Sequence, residues 1–124
     1  MMIILRITMN ALPEKQKELM QTLLSMIEPT EKERGCLSYE VFCDIRDKNV
    51  FSLIETWENR EYLHLHLNSV RFGVLLGTKS LLREPVKVQI YTVSHSEKME
   101  TIRRDAGVNK SFDPHTGSAR SQTI

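Results

Sequence analysis

Gly35-Cys36-Leu37-Ser38-Tyr39-Glu40-Val41-Phe42-Cys43, followed after a polar connection by Val50-Phe51-Ser52-Leu53-Ile54-Glu55-Thr56-Trp57, decides the fold. Each half is short, apolar-rich and supplied with β-branched or aromatic side chains, the pattern of a strand. Between them Asp44-Ile45-Arg46-Asp47-Lys48-Asn49 is rich in turn formers, so the two strands form a hairpin with a longer loop. Leu37, Tyr39 and Val41 share one face of the first strand, and Ser38, Glu40 and Phe42 the other. On the second strand Phe51, Leu53, Glu55 and Trp57 face together, which sets a carboxylate among apolar neighbours.

Downstream, Leu63, Leu65 and Leu67 alternate with His64 and His66, a strand-like rhythm. However, Asn59 is a good helix N-cap, and Tyr62, Leu63, His66, Leu67 and Val70 form one helical stripe. We read a helix, with His66 in the apolar stripe and His64 pointing away from it. A break near Ser69 separates it from a second short helix carrying Phe72, Val74, Leu75 and Leu76. Pro85 ends the helical run. Val86–Val93 is a further strand, with Val86, Val88 and Ile90 on one face.

Upstream, Met1–Met9 is an apolar run broken by Arg6 and Thr8, read as a strand buried on much of both faces. Pro13 suits the first turn of a helix whose stripe is Leu19, Met20, Leu23, Leu24 and Ile27. Pro29 predicts an end or kink at Glu28. Thr30 would then cap a short second piece that Gly35 terminates. The order is βαββαβ, an α+β ferredoxin-like arrangement with helices on one face of an antiparallel sheet. The other face needs a cover as well.

The chain has 124 residues, one domain by size, and its core spans 1–93 in this reading. From Ser94 onward apolar residues thin out, and 94–124 reads as a flexible tail or a segment packing on a partner subunit. A net charge of +1 gives no general attraction to nucleic acid or an anionic membrane. No apolar run is long enough to span a bilayer, and the N-terminus lacks the basic lead-in and cleavage site of a signal peptide. Cys36 and Cys43 match neither a redox pair nor a zinc knuckle. As reduced packing residues they suit a cytoplasmic location.

The ordered set Gly35-Cys36-Leu37-Ser38-Tyr39-Glu40, Glu55-Thr56-Trp57 and His66-Leu67 resembles the antibiotic biosynthesis monooxygenase (ABM) family, which includes small quinol monooxygenases. The resemblance covers about 2–93, with Pro13, Glu28-Pro29-Thr30, Asp44, Asn49 and Glu84-Pro85 also in place. It implies a dimeric α+β barrel, a homodimer in which two four-stranded sheets pack face to face and cover the open side. It also implies oxidation of a small phenolic or quinol substrate by dioxygen without metal or flavin. Related sequences often carry a second histidine near the position of Arg71, where this chain has arginine. Haem binding or breakdown, isomerisation and non-catalytic ligand binding are known on the same fold, and fold alone does not choose among them.

Glycine-rich phosphate motifs and a serine nucleophile elbow are absent, and His64-Leu65-His66 lacks the spacing for zinc on a helix. We therefore expect no cofactor and no metal. Acid–base side chains remain. A deprotonated phenol or hydroquinone is electron-rich enough to pass an electron to oxygen, so the protein must supply a base and a dry pocket. His66 is the natural base, since imidazole titrates near neutrality; the alternative is a core histidine bonded for packing. Glu55 would orient His66, act as the base itself, or pair with Arg6. Trp57 and Tyr39 would shape the pocket, while Arg71 and Arg6 could hold an anionic substrate oxygen.

Overall fold

In the computed structural model, residues 1–99 are described. Met1–Ser94 forms one compact unit. The part of the expected tail beyond Met99 lies outside the described residues.

Four strands form one antiparallel sheet: β1 (Met2–Asn10), β2 (Cys36–Cys43), β3 (Val50–Trp57) and β4 (Lys87–Val93), in the order β2-β3-β1-β4. With α1 (Gln16–Glu31), α2 (Arg60–Leu67) and α3 (Val70–Leu76), this is the ferredoxin-like arrangement that the sequence predicts. Short 3-10 turns at Pro13–Lys15 and Gly77–Leu81 lead into α1 and out of α3. Among the described residues no helix is long and apolar enough to cross a membrane.

Side-chain alternation puts one row of β1 and of β3 under the helices, while β4 at the sheet edge stays exposed. Ile3, Leu5, Ile7 and Met9 of β1 are buried there, with Phe51, Leu53, Glu55 and Trp57 of β3. Leu19, Leu23 and Met26 of α1, Leu63 of α2, and Phe72 and Leu75 of α3 complete the core. β1 is thus buried on one face, not on much of both: its burial alternates strictly, and Arg6 on the opposite face is exposed.

Two further local expectations are corrected. The register slips between Cys36 and Ser38, so Cys36 stands opposite Trp57 while Leu37 becomes the extra residue of a bulge and is 54% exposed. Helix α1 also runs through Pro29 to Glu31. Proline removes one backbone donor, but Met26 and Thr30 on either side are buried, and their packing holds the last turn in place. Thr30 is therefore an interior helical residue and not the cap of a second piece.

Gly35 does end the segment. Its φ of +85° lies in the left-handed region. A Cβ there would also collide with the Tyr62 ring of α2. The break at Ser69 is equally well defined. Asn59 caps α2 by accepting from Tyr62 N–H at 3.0 Å, and Ser69 caps α3 by accepting from Phe72 N–H at 3.1 Å.

Candidate functional site

The helical choice for 60–67 decides where His66 goes. On α2 the ring turns inward and only 1% of the side chain is exposed, whereas His64 stays at the surface. His66 lies against Trp57, with ring centroids 4.5 Å apart and planes 28° from parallel. Phe72 presents its edge from α3 at 5.3 Å. The Ser69 hydroxyl fixes both neighbours, donating to the His66 carbonyl at 2.6 Å and accepting from Phe72 N–H.

Each ring nitrogen faces a carboxylate. Nδ1 donates to Glu33, with Oε1 at 3.0 Å and Oε2 at 3.1 Å. On the other side Nε2 lies 3.1 Å from Glu55 Oε1. That contact is a charge pairing and not an aligned hydrogen bond, for Nε2 has no hydrogen-bond partner among the described residues. Glu55 Oε1 instead accepts Trp57 Nε1–H at 3.0 Å. Burial disfavours the charged imidazole, but the adjacent Glu55 carboxylate and then Glu33, which accepts the Nδ1–H, prevail, so the His66 pKa is raised.

Glu55 is as buried as His66, and its second oxygen, Oε2, has no partner among the described residues. Tyr39 stands opposite Glu55 across the β2–β3 pair, and its buried hydroxyl also lacks a partner among the described residues. Burial first, and then the Glu55 charge, push the Tyr39 pKa up, keeping the phenol protonated as a donor. Cys36, on the same side, is pushed up to about 11 by burial and by Glu55, Glu33 and Glu31, so it is not a ready thiolate. Cys43 is exposed and is not the packing residue expected.

Four of the six residues singled out in the sequence therefore meet: His66, Glu55, Trp57 and Tyr39. Arg71 joins from the rim, its Nη1 3.0 Å from Glu33 Oε2. Arg6 does not join. Leu5, not Arg6, is opposite Glu55, so the arginine points from the other face and the Arg6–Glu55 pair cannot form. Sequence reading missed Glu33. It follows the end of α1, and the turn at Gly35 swings it under α2; only that glycine hints at the geometry.

A narrow apolar cleft of about 20 Å³ opens beside this group, between β1, β4 and α3. Ile7, Met9, Leu75, Leu82 and Val88 line it, and Phe72 forms the wall toward His66. Glu33 and Glu55 lie on opposite sides of the imidazole and do not converge as ligands would. Among the described residues no group of three or more His, Cys, Asp or Glu could hold a metal ion.

Comparison with known proteins gives this arrangement its setting. Residues 2–75 match the family model described as antibiotic biosynthesis monooxygenase. An uncharacterized protein of Synechocystis, sll1783, is 30% identical over 88 residues, which are 70% of this chain and 60% of that one. The chain thus spans under two thirds of that relative's length. A Bacillus subtilis protein named "Putative monooxygenase YcnE" is 27% identical over 70% of this chain and 93% of its own. A crystal structure from Deinococcus radiodurans, described as a "putative antibiotic biosynthesis monooxygenase", superposes with a TM-score of 0.72 at 27% identity, covering 77% of this chain and 96% of that one. The chain belongs to the antibiotic biosynthesis monooxygenase family.

Proposed function

We propose that the protein is a cofactor-independent monooxygenase that oxidises a small quinol or polyphenol with dioxygen. The observation that carries this reading is a pair of buried groups of opposite sense, neither partnered among the described residues. Glu55 Oε2 can accept a hydrogen bond, and the Tyr39 hydroxyl can donate one. A phenolic substrate has the matching needs, since its hydroxyl gives up a proton while its second oxygen takes a donor.

In this account Phe72 turns aside, joining the narrow apolar cleft to the space beside the imidazole and so making room for the ring. Glu55 accepts the phenolic proton, and His66 balances the charge. Trp57 holds both, by donating to Glu55 and by stacking on the imidazole. The phenolate transfers an electron to dioxygen, and the two recombine at a ring carbon. For a hydroquinone the sum is substrate plus dioxygen giving a hydroxyquinone plus water. One oxygen atom forms the new carbon–oxygen bond, the other leaves as water, and the substrate supplies all the electrons. A dry, apolar wall suits such a step because it raises the reactivity of the anion.

The same reading includes a homodimer. The sheet face turned away from the helices carries Ile4, Phe42, Ile54 and Tyr91, with Phe42 45% and Tyr91 43% exposed in the single chain. A second copy laid on this face would cover them.

One observation favours a rival. Both His66 nitrogens already face carboxylates and the ring is sealed from solvent, which suits a structural histidine in a non-catalytic binding module. Axial ligation of haem through Nε2 gains no support from a nitrogen held against Glu55. Turnover of hydroquinones by metal-stripped protein under ¹⁸O₂ separates the readings: a product carrying one labelled oxygen supports the monooxygenase, and unlabelled or absent product supports the binding module.

A further inference from the structure

Glu33 stands apart from the rest of the buried group because it alone reaches outward. The exposure of the side chains rises in order along one line: 1% for Glu55 and His66, 17% for Glu33 and 38% for Arg71. Consecutive polar atoms on this line are 3.0–3.1 Å apart. Every other side of the imidazole is closed by Trp57 and Phe72 or by the helix itself.

We propose that Glu33 is the proton exit of the Glu55–His66 pair, and that Arg71 holds its carboxylate in the transferring position. An acid–base group sealed in the core needs such a path, since a proton taken from a substrate must leave before the next cycle. In the step, the His66 Nδ1–H bond breaks and an O–H bond forms on Glu33. Starting from the charged ring, this leaves a neutral imidazole that keeps its Nε2–H beside Glu55, and Glu33 releases its proton to water at the rim. No electrons move. The Arg71 guanidinium binds one Glu33 oxygen, Oε2, while both oxygens stay within reach of Nδ1. Glu33 acts through His66 and is a positioning residue. The charged and titratable groups around the ring are Glu55 of β3, Tyr39 and Cys36 of β2, Glu33 of the α1–β2 turn and Arg71 of α3. Tyr39 and Cys36, both shifted upward, offer no competing base.

The inference rests on the acid–base reading of Glu55 and His66 but not on any substrate, and its test needs none. The exchange of the His66 Nδ1 proton with solvent is followed by ¹⁵N-resolved NMR on the full chain. In the wild type the Nδ1 proton exchanges at least about tenfold faster than the core amides of Leu5 and Leu53, at a rate insensitive to low urea, because no unfolding is required. Glu33→Gln keeps an acceptor but cannot carry the proton, and slows that exchange about tenfold or more. Protection of the wild-type Nδ1 proton equal to that of the core amides would overturn the proposal, as would unchanged exchange in a folded Glu33→Gln variant. The wild-type arm stands even if the variant does not fold. Failure to oxidise any quinol would bear on the monooxygenase reading and leave this result intact.

Discussion

His66 stacks on Trp57 at a centroid distance of 4.5 Å, and the two rings share Glu55 Oε1 as their polar neighbour. Trp57 is the only tryptophan in the chain, so its emission reports on one place. A protonated imidazole quenches a stacked indole more strongly than a neutral one, because it accepts the excited electron more readily. Fluorescence should therefore rise with pH along a single titration centred above the ordinary histidine value of about 6.5. The step disappears in His66→Gln. A wild-type midpoint at or below the ordinary value would show that burial outweighs the two carboxylates.

The same raised pKa makes stability depend on pH. The folded chain holds the His66 proton more tightly than the unfolded chain does, so between the two pKa values the folded state binds more protons. This contribution is fully present below the unfolded value of about 6.5 and is lost as pH rises through the folded value. Urea midpoints measured upward from pH 6 should fall over that window in the wild type. Glu55→Gln keeps an acceptor for Trp57 Nε1–H but removes the buried charge. It should lower stability by about 1–3 kcal/mol near pH 6 and flatten the decline.

Gly35 is needed twice over, for its positive φ and for the space taken by the Tyr62 ring. Gly35→Ala should cost at least about 1–2 kcal/mol in a thermal melt. Since the turn also delivers Glu33 to His66, it should reduce the fluorescence pKa too. A neutral effect on both would contradict the account of this turn.

Phe72 separates the apolar cleft from the imidazole. Phe72→Ala should cost about 3–5 kcal/mol of stability. It should also let small phenols added to the folded protein alter Trp57 emission at lower concentration than in the wild type. If phenols bind equally well to both, the wall does not control entry.

Ile54 sits on the sheet face turned away from the helices, beside the register positions of Arg6 and Glu40. Ile54→Arg should convert the proposed dimer to a monomer in sedimentation velocity while leaving the far-UV circular dichroism unchanged. A wild-type protein that sediments as a monomer at micromolar concentration would remove the dimer from the account.

The fold was legible because its signals were local. Alternation marked the strands, Asn59 and Ser69 marked two helix starts, and Pro85 marked a stop. The site was legible where strand alternation or helical spacing set a direction, as for Glu55, Trp57 and His66. It failed where position depended on register or on a turn. Arg6 lies one residue from the position opposite Glu55, and one residue reverses the face. Leu37 was displaced by a bulge that no residue type announces. Glu33 reaches His66 across 33 residues of sequence through a glycine turn, and Pro29 was overruled by the packing of its neighbours.

Oxygen consumption tests the central claim most directly. Metal-stripped wild-type protein, His66→Gln and Glu55→Gln are each given a panel of hydroquinones in a sealed electrode, beside an autoxidation blank and after folding is verified. The account predicts uptake above the blank by the wild type and a loss of about a hundredfold or more in either variant, the scale of a lost acid–base group. Uptake that survives both substitutions, or none by the wild type on any hydroquinone, would contradict it.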